Sequence, residues 1–339
     1  MNRNKWRGLA LCTLLTILLT ACASSTVTVT NSATGLEEEV YLAENDAITD
    51  GDKAAVEEIL SAFEGALAST DAAPLMQYVD ESFTATEENL ETFFKSISEG
   101  GTFTAYDWYY VRNLEDSLVP VLIQKTAASQ EAIRVVPASR DLYVALYSAG
   151  EGTPTETMLS LMCAKKGGKW SLVWIDITDF RYHGEDANAL YAKAKAAYEN
   201  GEVMSAFLYA QMTANIAVPA NLLRYPNSDA ISEFVYQVAG EGLKDYPLPM
   251  ELEVDGVTLR SVATAKTEDG VVPMFFYSTE TPLANEKALA REAKKVYNAI
   301  EEIFPGTIEK FPTAEFRMTN ADPEADENFD FETVIITMN

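Results

Sequence analysis

The apolar period of this chain changes at Gly100-Gly101. Before that point, Val56, Ile59, Leu60, Phe63 and Leu67 recur at three- and four-residue spacings, which predicts a helix over 52–68 with one apolar face and Asp52 at its cap. A short helix is expected to start near Pro74, since proline suits a first turn, and another over 87–98 with Leu90, Phe93, Phe94 and Ile97 inside. After the glycines the period becomes two. Thr102 to Val111 is rich in β-formers, and strands are predicted near 118–124, 132–137, 142–148, 157–164 and 169–177, the last entered from the turn Gly167-Gly168. Helices followed by a run of strands predict an α+β fold, with the helices packed on a curved antiparallel sheet.

From Gly184 the helical period returns. Leu190, Ala194, Ala197 and Tyr198 fall on one predicted helix, Asn200-Gly201-Glu202 makes a turn, and Ala206, Tyr209, Ala210 and Thr213 fall on the next. The spacing from Gly201 to Ala206 resembles the turn of a tetratricopeptide-type hairpin, although one unit is visible where such solenoids need about three. A third helix is predicted near 229–243. From Pro249 the pattern resets: a hairpin around Asp255-Gly256, a strand over 271–278, a long helix over 284–304 stopped by Pro305-Gly306, and strands over 315–319 and 333–338. This is a small C-terminal α+β unit. The expected division is 1–21 leader, 22–50 flexible tether, 51–184 first domain, 185–247 helical connector, and 248–339 second domain.

The leader sets the expected compartment. Arg3, Lys5 and Arg7 precede an uncharged stretch from Leu9 to Ala21, thirteen residues long. A membrane span needs roughly 20 apolar residues, so this run reads as the apolar region of a secretory signal. Leu19-Thr20-Ala21-Cys22 resembles a bacterial lipobox, which implies that Cys22 becomes the first residue of the mature chain and carries lipid. Ordinary secretory cleavage beside an incidental cysteine, or an uncleaved anchor, are the alternatives. Bacterial lipoproteins carry several acyl chains at about 0.8 kcal/mol per buried methylene, which implies stable anchoring. Ala23 follows the cysteine; that resembles the outer-membrane sorting pattern in a cell with two membranes, and implies the outer face of the cell membrane in a cell with one.

A second resemblance covers residues 50–184. The segment ALASTDAAPLMQYVDESF after the first long helix, and the closing strand GKWSLVWIDI, are similar to the nuclear transport factor 2-like (NTF2-like) superfamily. The resemblance implies a cone with an apolar-lined pocket between helices and sheet. Some members are isomerases or dehydratases; others bind ligands or partners without chemistry. An enzyme of this type needs a pocket carboxylate as base and a tyrosine or acid as oxyanion donor. Asp107 and Asp176 are the candidate carboxylates, because each interrupts an aromatic strand, and Tyr109 shares a strand face with Asp107. Period two also puts Trp170, Leu172, Trp174 and Asp176 on one face; the pocket that the resemblance implies is expected to be lined by Trp108, Tyr110, Trp170 and Trp174. The competing reading is a pair of outward-facing acids beside core aromatics.

Composition narrows the function classes. With 52 acidic and 25 basic residues the net charge is −27, which argues against nucleic acid as partner and against direct adsorption to anionic lipid. The one histidine, His183, excludes multi-histidine metal sites and reads as a solvated loop residue. Beyond Cys12 and Cys22 only Cys163 remains, in an apolar strand, where a buried core thiol is expected rather than a nucleophile. The acidic run from Asp322 to Glu332 has Glu327 where a calcium loop starting at Asp322 would want glycine, so a solvated loop is expected and no metal site is assigned. No glycine-rich phosphate loop and no Gly-x-Ser-x-Gly elbow occurs, and no cofactor is expected. The leading expectation is a non-catalytic, lipid-anchored binding module of the cell envelope, holding a small apolar ligand or a protein partner. The alternatives are an NTF2-like isomerase or lyase using Asp107 or Asp176 with Tyr109, and an assembly subunit whose helical hairpin docks an envelope complex.

Overall fold

The computed structural model describes residues 26–30, 37–41, 48–98, 101–112, 121–123, 132–135, 139–225, 227–321 and 330–338. The leader with Cys22, and residues 322–329 of the acidic run, lie outside the described residues. Strands β1 (Thr26–Thr30) and β2 (Glu37–Tyr41) pair antiparallel, with Val27 opposite Val40. The stretch expected to be a flexible tether therefore contains a hairpin; the alternating Val27-Thr28-Val29-Thr30 outweighs its polar composition.

Helix α1 (Asp50–Ser69) starts earlier than the apolar period indicates. Thr49, not Asp52, is the cap: its Oγ1 accepts the Asp52 N–H at 3.2 Å. Val56, Ile59, Phe63 and Ala66 are its buried face. The short α2 (Ala73–Met76) carries Pro74 in its first turn, and α3 (Glu87–Ser98) buries Leu90, Phe94 and Ile97. Strands β3 (Thr104–Arg112), β4 (Val121–Ile123), β5 (Ala132–Val135), β6 (Asp141–Ala149), β7 (Thr155–Lys166) and β8 (Lys169–Tyr182) follow. Four of them form an antiparallel sheet in the order β3-β6-β7-β8. One face of that sheet, through Tyr110, Ala145, Tyr147, Leu161, Cys163 and Leu172, packs on α1–α3. Its open end is tied to the helices by Asp80, whose carboxylate takes hydrogen bonds from Lys166 Nζ at 2.9 Å and Ser171 Oγ at 3.1 Å.

The chain continues through α4 (Ala187–Glu199) and α5 (Val203–Asn215), then a 3₁₀ turn at Pro219–Asn221, β9 (Leu223–Arg224) and α6 (Ser228–Gln237). Strand β9 joins β4 and β5 in a small antiparallel sheet of order β4-β5-β9. The C-terminal unit contains β10 (Met250–Glu251), β11 (Thr258–Thr267), β12 (Gly270–Ser278), α7 (Glu286–Ile303), α8 (Thr307–Lys310), β13 (Thr313–Thr319) and β14 (Glu332–Thr337). Its strands run β10-β11-β12-β13-β14, with β12 and β13 parallel and the other pairs antiparallel. Helix α7 makes the crossover that a parallel pair needs, burying Leu289, Ala293, Val296, Tyr297 and Ile300.

One core runs from the second face of the β3-β6-β7-β8 sheet (Val144, Met158, Phe180), through Leu190 and Leu208 of the connector, to Phe275, Tyr297 and Phe316 of the C-terminal sheet. The molecule is therefore a mixed α and β structure in which the first sheet carries helices α1–α3 on one face and the rest of the chain on the other. Among the described residues, no helix is long and apolar enough to cross a membrane.

Candidate functional site

The predicted site residues are divided by two β-bulges. Along β7 and β8 the register shifts between the pairs Cys163–Leu172 and Met162–Trp174, so Val173 is an extra residue in β8. Upstream of it, Trp170 and Leu172 belong to the core facing α1–α3. Downstream, Trp174 and Asp176 point to the other face, where Asp176 Oδ2 accepts a hydrogen bond from Asn221 Nδ2 at 2.5 Å. The shared face expected from period two is thus broken by one inserted residue. A second bulge, between Ala105 and Asp107, sets Asp107 opposite Leu146 and Tyr109 opposite Val144. Asp107 and Tyr109 do share a face, as expected, but it is the face turned away from α1–α3. Neither aspartate faces the space that the cone would use as its pocket.

The expected pocket aromatics have fixed structural partners. Trp170 is buried, and its Nε1 donates to Asp52 Oδ1 at 2.8 Å, beside Lys165 Nζ at 2.5 Å from the same oxygen. Tyr110 donates to Asp141 Oδ1 at 2.8 Å and accepts from Arg112 at 2.7 Å; burial and the Asp141 charge push its pKa up to about 12. Trp108 stacks on Tyr143 with ring centroids 5.3 Å apart, and Trp174 is 38% exposed on the opposite face. Between α1–α3 and the sheet, Phe63 contacts Phe94 at 5.6 Å and Tyr147 at 6.1 Å. Cys163 is fully buried there, and burial pushes its thiol up to about 12, which makes it the inert core residue expected from its neighbours. The space between α1–α3 and the sheet is a packed core at these positions.

A different site forms where the first sheet, the connector and the C-terminal sheet meet. Strand β8 ends at Tyr182. His183 then adopts a left-handed φ of 51° and Gly184 one of 76°, turning the chain into α4, whose cap Asp186 accepts the Ala189 N–H at 2.9 Å. The His183 N–H donates to Pro154 O at 2.9 Å, and its ring packs against Gly270 at the start of β12. A Cβ at Gly270 would lie 2.5 Å from His183 Nε2, so a side chain there would push the exposed imidazole aside, and the Gly270 φ of 118° itself favours glycine.

Beside this contact is a cleft of about 470 Å³ with a floor that includes Leu190, Met212, Val271, Pro273 and Phe311. Tyr209 packs on Phe311 with centroids 4.7 Å apart, and burial raises its pKa, so the hydroxyl stays neutral at physiological pH. Two ion pairs stand at the rim: Lys193 to Glu185 at 2.6 Å, and Lys310 to Glu202 at 2.9 Å. Lys193 Nζ also lies 5.7 Å from the Tyr209 ring centroid, and the hydrogen bond to Glu202 raises the Lys310 pKa. The cleft thus offers an apolar floor and a rim that carries two ion pairs and Asp269, on a chain of net charge −27. Its volume falls in the range of about 300–1,000 Å³ usual for small-molecule sites. Among the described residues, no group of three or more His, Cys, Asp or Glu side chains is placed to hold a metal ion.

Sequence patterns point only weakly to this cleft. Its lining comes from the end of β8, from α4 and α5, from β12, and from Lys310 to Thr313, and no periodic pattern links such distant segments. The one local signal is His183-Gly184, a strand-to-helix turn that requires left-handed backbone.

No known protein family and no curated protein matches the chain. Three solved structures show a distant likeness. One is a protein of unknown function with a cystatin-like fold from Nostoc punctiforme PCC 73102, 15% identical, covering 39% of this chain and 93% of that one with a TM-score of 0.24. The second is described as a putative calcium/calmodulin-dependent protein kinase II association domain from Xanthomonas campestris, 13% identical over 41% of this chain and 94% of that one, TM-score 0.20. The third is Bd1075 of Bdellovibrio bacteriovorus, 9% identical over 43% and 47% of the two chains, TM-score 0.21. These scores are too low to carry an argument.

Proposed function

We propose that this chain is a lipid-anchored binding protein of the bacterial cell envelope, which holds a small apolar or amphipathic ligand in the three-part cleft. The cleft carries the reading: about 470 Å³, floored by Met212, Val271, Pro273 and Phe311, and edged by the Lys193–Glu185 and Lys310–Glu202 pairs. The N-terminal part, an NTF2-like cone on this reading, acts as a rigid support. Packing of Phe63, Phe94, Tyr147 and Trp170 between helices and sheet supports that role over an isomerase or lyase mechanism in the cone. Anchoring rests on the leader and Leu19-Thr20-Ala21-Cys22, and an acidic chain needs such an attachment to stay at an anionic membrane.

Two measurements test the parts separately. Mass analysis of the N-terminal peptide from the envelope-extracted protein should find Cys22 as the first residue with acyl chains attached; an unmodified Cys22 removes the anchor. Titration with the neutral fluorophore N-phenyl-1-naphthylamine should show saturable uptake that Pro312→Trp, at the exposed rim, blocks. Uptake unchanged in that variant removes the cleft as the site.

A further inference from the structure

Strand β14 ends the C-terminal sheet: it pairs with β13 on one side and, among the described residues, with no strand on the other. Its sequence is Glu332-Thr333-Val334-Ile335-Ile336-Thr337. Glu332, Thr333, Ile335 and Thr337 are exposed, Val334 is half-buried, and Ile336 alone is buried, so the strand is accessible along its length. Natural edge strands are protected by lysines, prolines, bulges or a covering element, and β14 has none of the first three. It has instead two large apolar residues in solvent at or beside the edge, Ile335 at 51% and Phe331 at 50% exposure.

We propose that β14 is a dimer interface that pairs antiparallel with β14 of a second copy of this chain, joining two five-stranded sheets into one. Symmetry and the pleat fix the register. A two-fold axis normal to the sheet keeps equivalent faces together, so opposed residues must have the same facing. Thr333, Ile335 and Thr337 share the face of Arg317, Glu315 and Thr313, their partners on β13, and Glu332, Val334 and Ile336 share the other. Centring the pair on Ile335 then sets Ile335 against its own copy, Thr333 against Thr337, Val334 against Ile336, and Glu332 against Met338. Exposed Ile335 meets its own copy and Val334 meets Ile336, the two threonines can hydrogen-bond across the strands, and no like charges stand opposite. This self-complementarity favours a second copy over an unrelated peptide. The single acid of the strand lies away from the axis, so most of the chain's charge of −27 stays outside the contact.

Cross-linking reads the register directly. Opposed residues in an antiparallel pair have Cα atoms about 4.5–5.5 Å apart, within disulfide reach. Cys163 is buried and does not compete. In the full chain in detergent, Ile335→Cys should form a covalent dimer under mild oxidation at least tenfold faster than Thr333→Cys, whose opposite number is Thr337 rather than itself. The doubly substituted Thr333→Cys/Thr337→Cys chain should regain fast cross-linking. Light scattering should give twice the chain mass for the parent protein and the single chain mass for Ile335→Lys, which alters an exposed position and leaves the fold intact by circular dichroism. A parent protein of single-chain mass, or Thr333→Cys cross-linking as fast as Ile335→Cys, overturns the proposal. A dimer that Ile335→Lys does not split also overturns it.

Discussion

Trp170 and Trp174 stand four residues apart on β8 and face opposite sides of the sheet. The inserted Val173 turns one toward α1–α3 and the other toward the opposite face. Trp170 is 4% exposed and bonded to Asp52, whereas Trp174 is 38% exposed. Trp170→Ala should therefore cost about 3–5 kcal/mol of unfolding free energy, as large core deletions do. Trp174→Ala should cost clearly less, because much more of its side chain already lies in solvent. Urea unfolding of both variants checks the difference, and equal losses would contradict the bulge.

The Asp80 carboxylate gives the first sheet an acid-sensitive tie. Hydrogen bonds from Ser82, then Lys166 and Ser171, hold its pKa well below the usual carboxylate value. A depressed folded-state pKa contributes stability that is full above the unfolded value of about 3.9, and is lost as pH falls from there toward the folded value. Asp80→Asn should thus destabilise the protein at pH 7 and do so less at pH 3. Chemical unfolding at the two pH values measures this; a gap that widens in acid would reverse the assignment.

How much of this was legible in the sequence depends on the length scale. The periods of α1, α3 and α7 and the alternation of β3 and β8 were plain, because each element buries one face against a neighbour that its own pattern implies. Tyr109 and Asp107 kept their common face for the same reason. What failed was pattern carried across an insertion: period two holds only while the ladder is regular, and Val173 breaks it between Leu172 and Trp174. Thr49 displaced Asp52 as the cap because helix ends are set by one hydrogen bond, which apolar spacing does not report. The cleft was hidden for a third reason: Leu190, Met212, Val271 and Phe311 are close only after the connector has folded both sheets together.

Cys163 tests the core and the anchor in one titration. The chain has Cys12, Cys22 and Cys163. Burial pushes the Cys163 thiol up to about 12, so it should not react with Ellman's reagent at pH 8 until the protein unfolds. If Cys22 is lipidated as proposed, the processed chain should yield one thiol in denaturant and none in native buffer. Two thiols in denaturant would mean an unmodified Cys22, and fast native reaction would mean an open core.

The backbone at Gly270 should disfavour any side chain, and its contact with His183 should add to the cost. Gly270 has φ of 118°, and an added Cβ would lie 2.5 Å from His183 Nε2. Gly270→Ala should cost about 1–3 kcal/mol from backbone strain, with the clash added. His183→Ala in the same chain should restore the clash part and leave the strain. A double-mutant cycle showing no coupling between the two positions would contradict the packing.

On the proposed reading, the cleft floored by Met212, Val271 and Phe311 holds a small apolar or amphipathic molecule. Native mass spectrometry of the protein purified from bacterial envelopes tests it most directly. The predicted result is a discrete non-covalent adduct on the parent chain that is lost in Pro312→Trp and extracted by organic solvent. A bare parent chain, or an adduct equally present in both proteins, would contradict the claim.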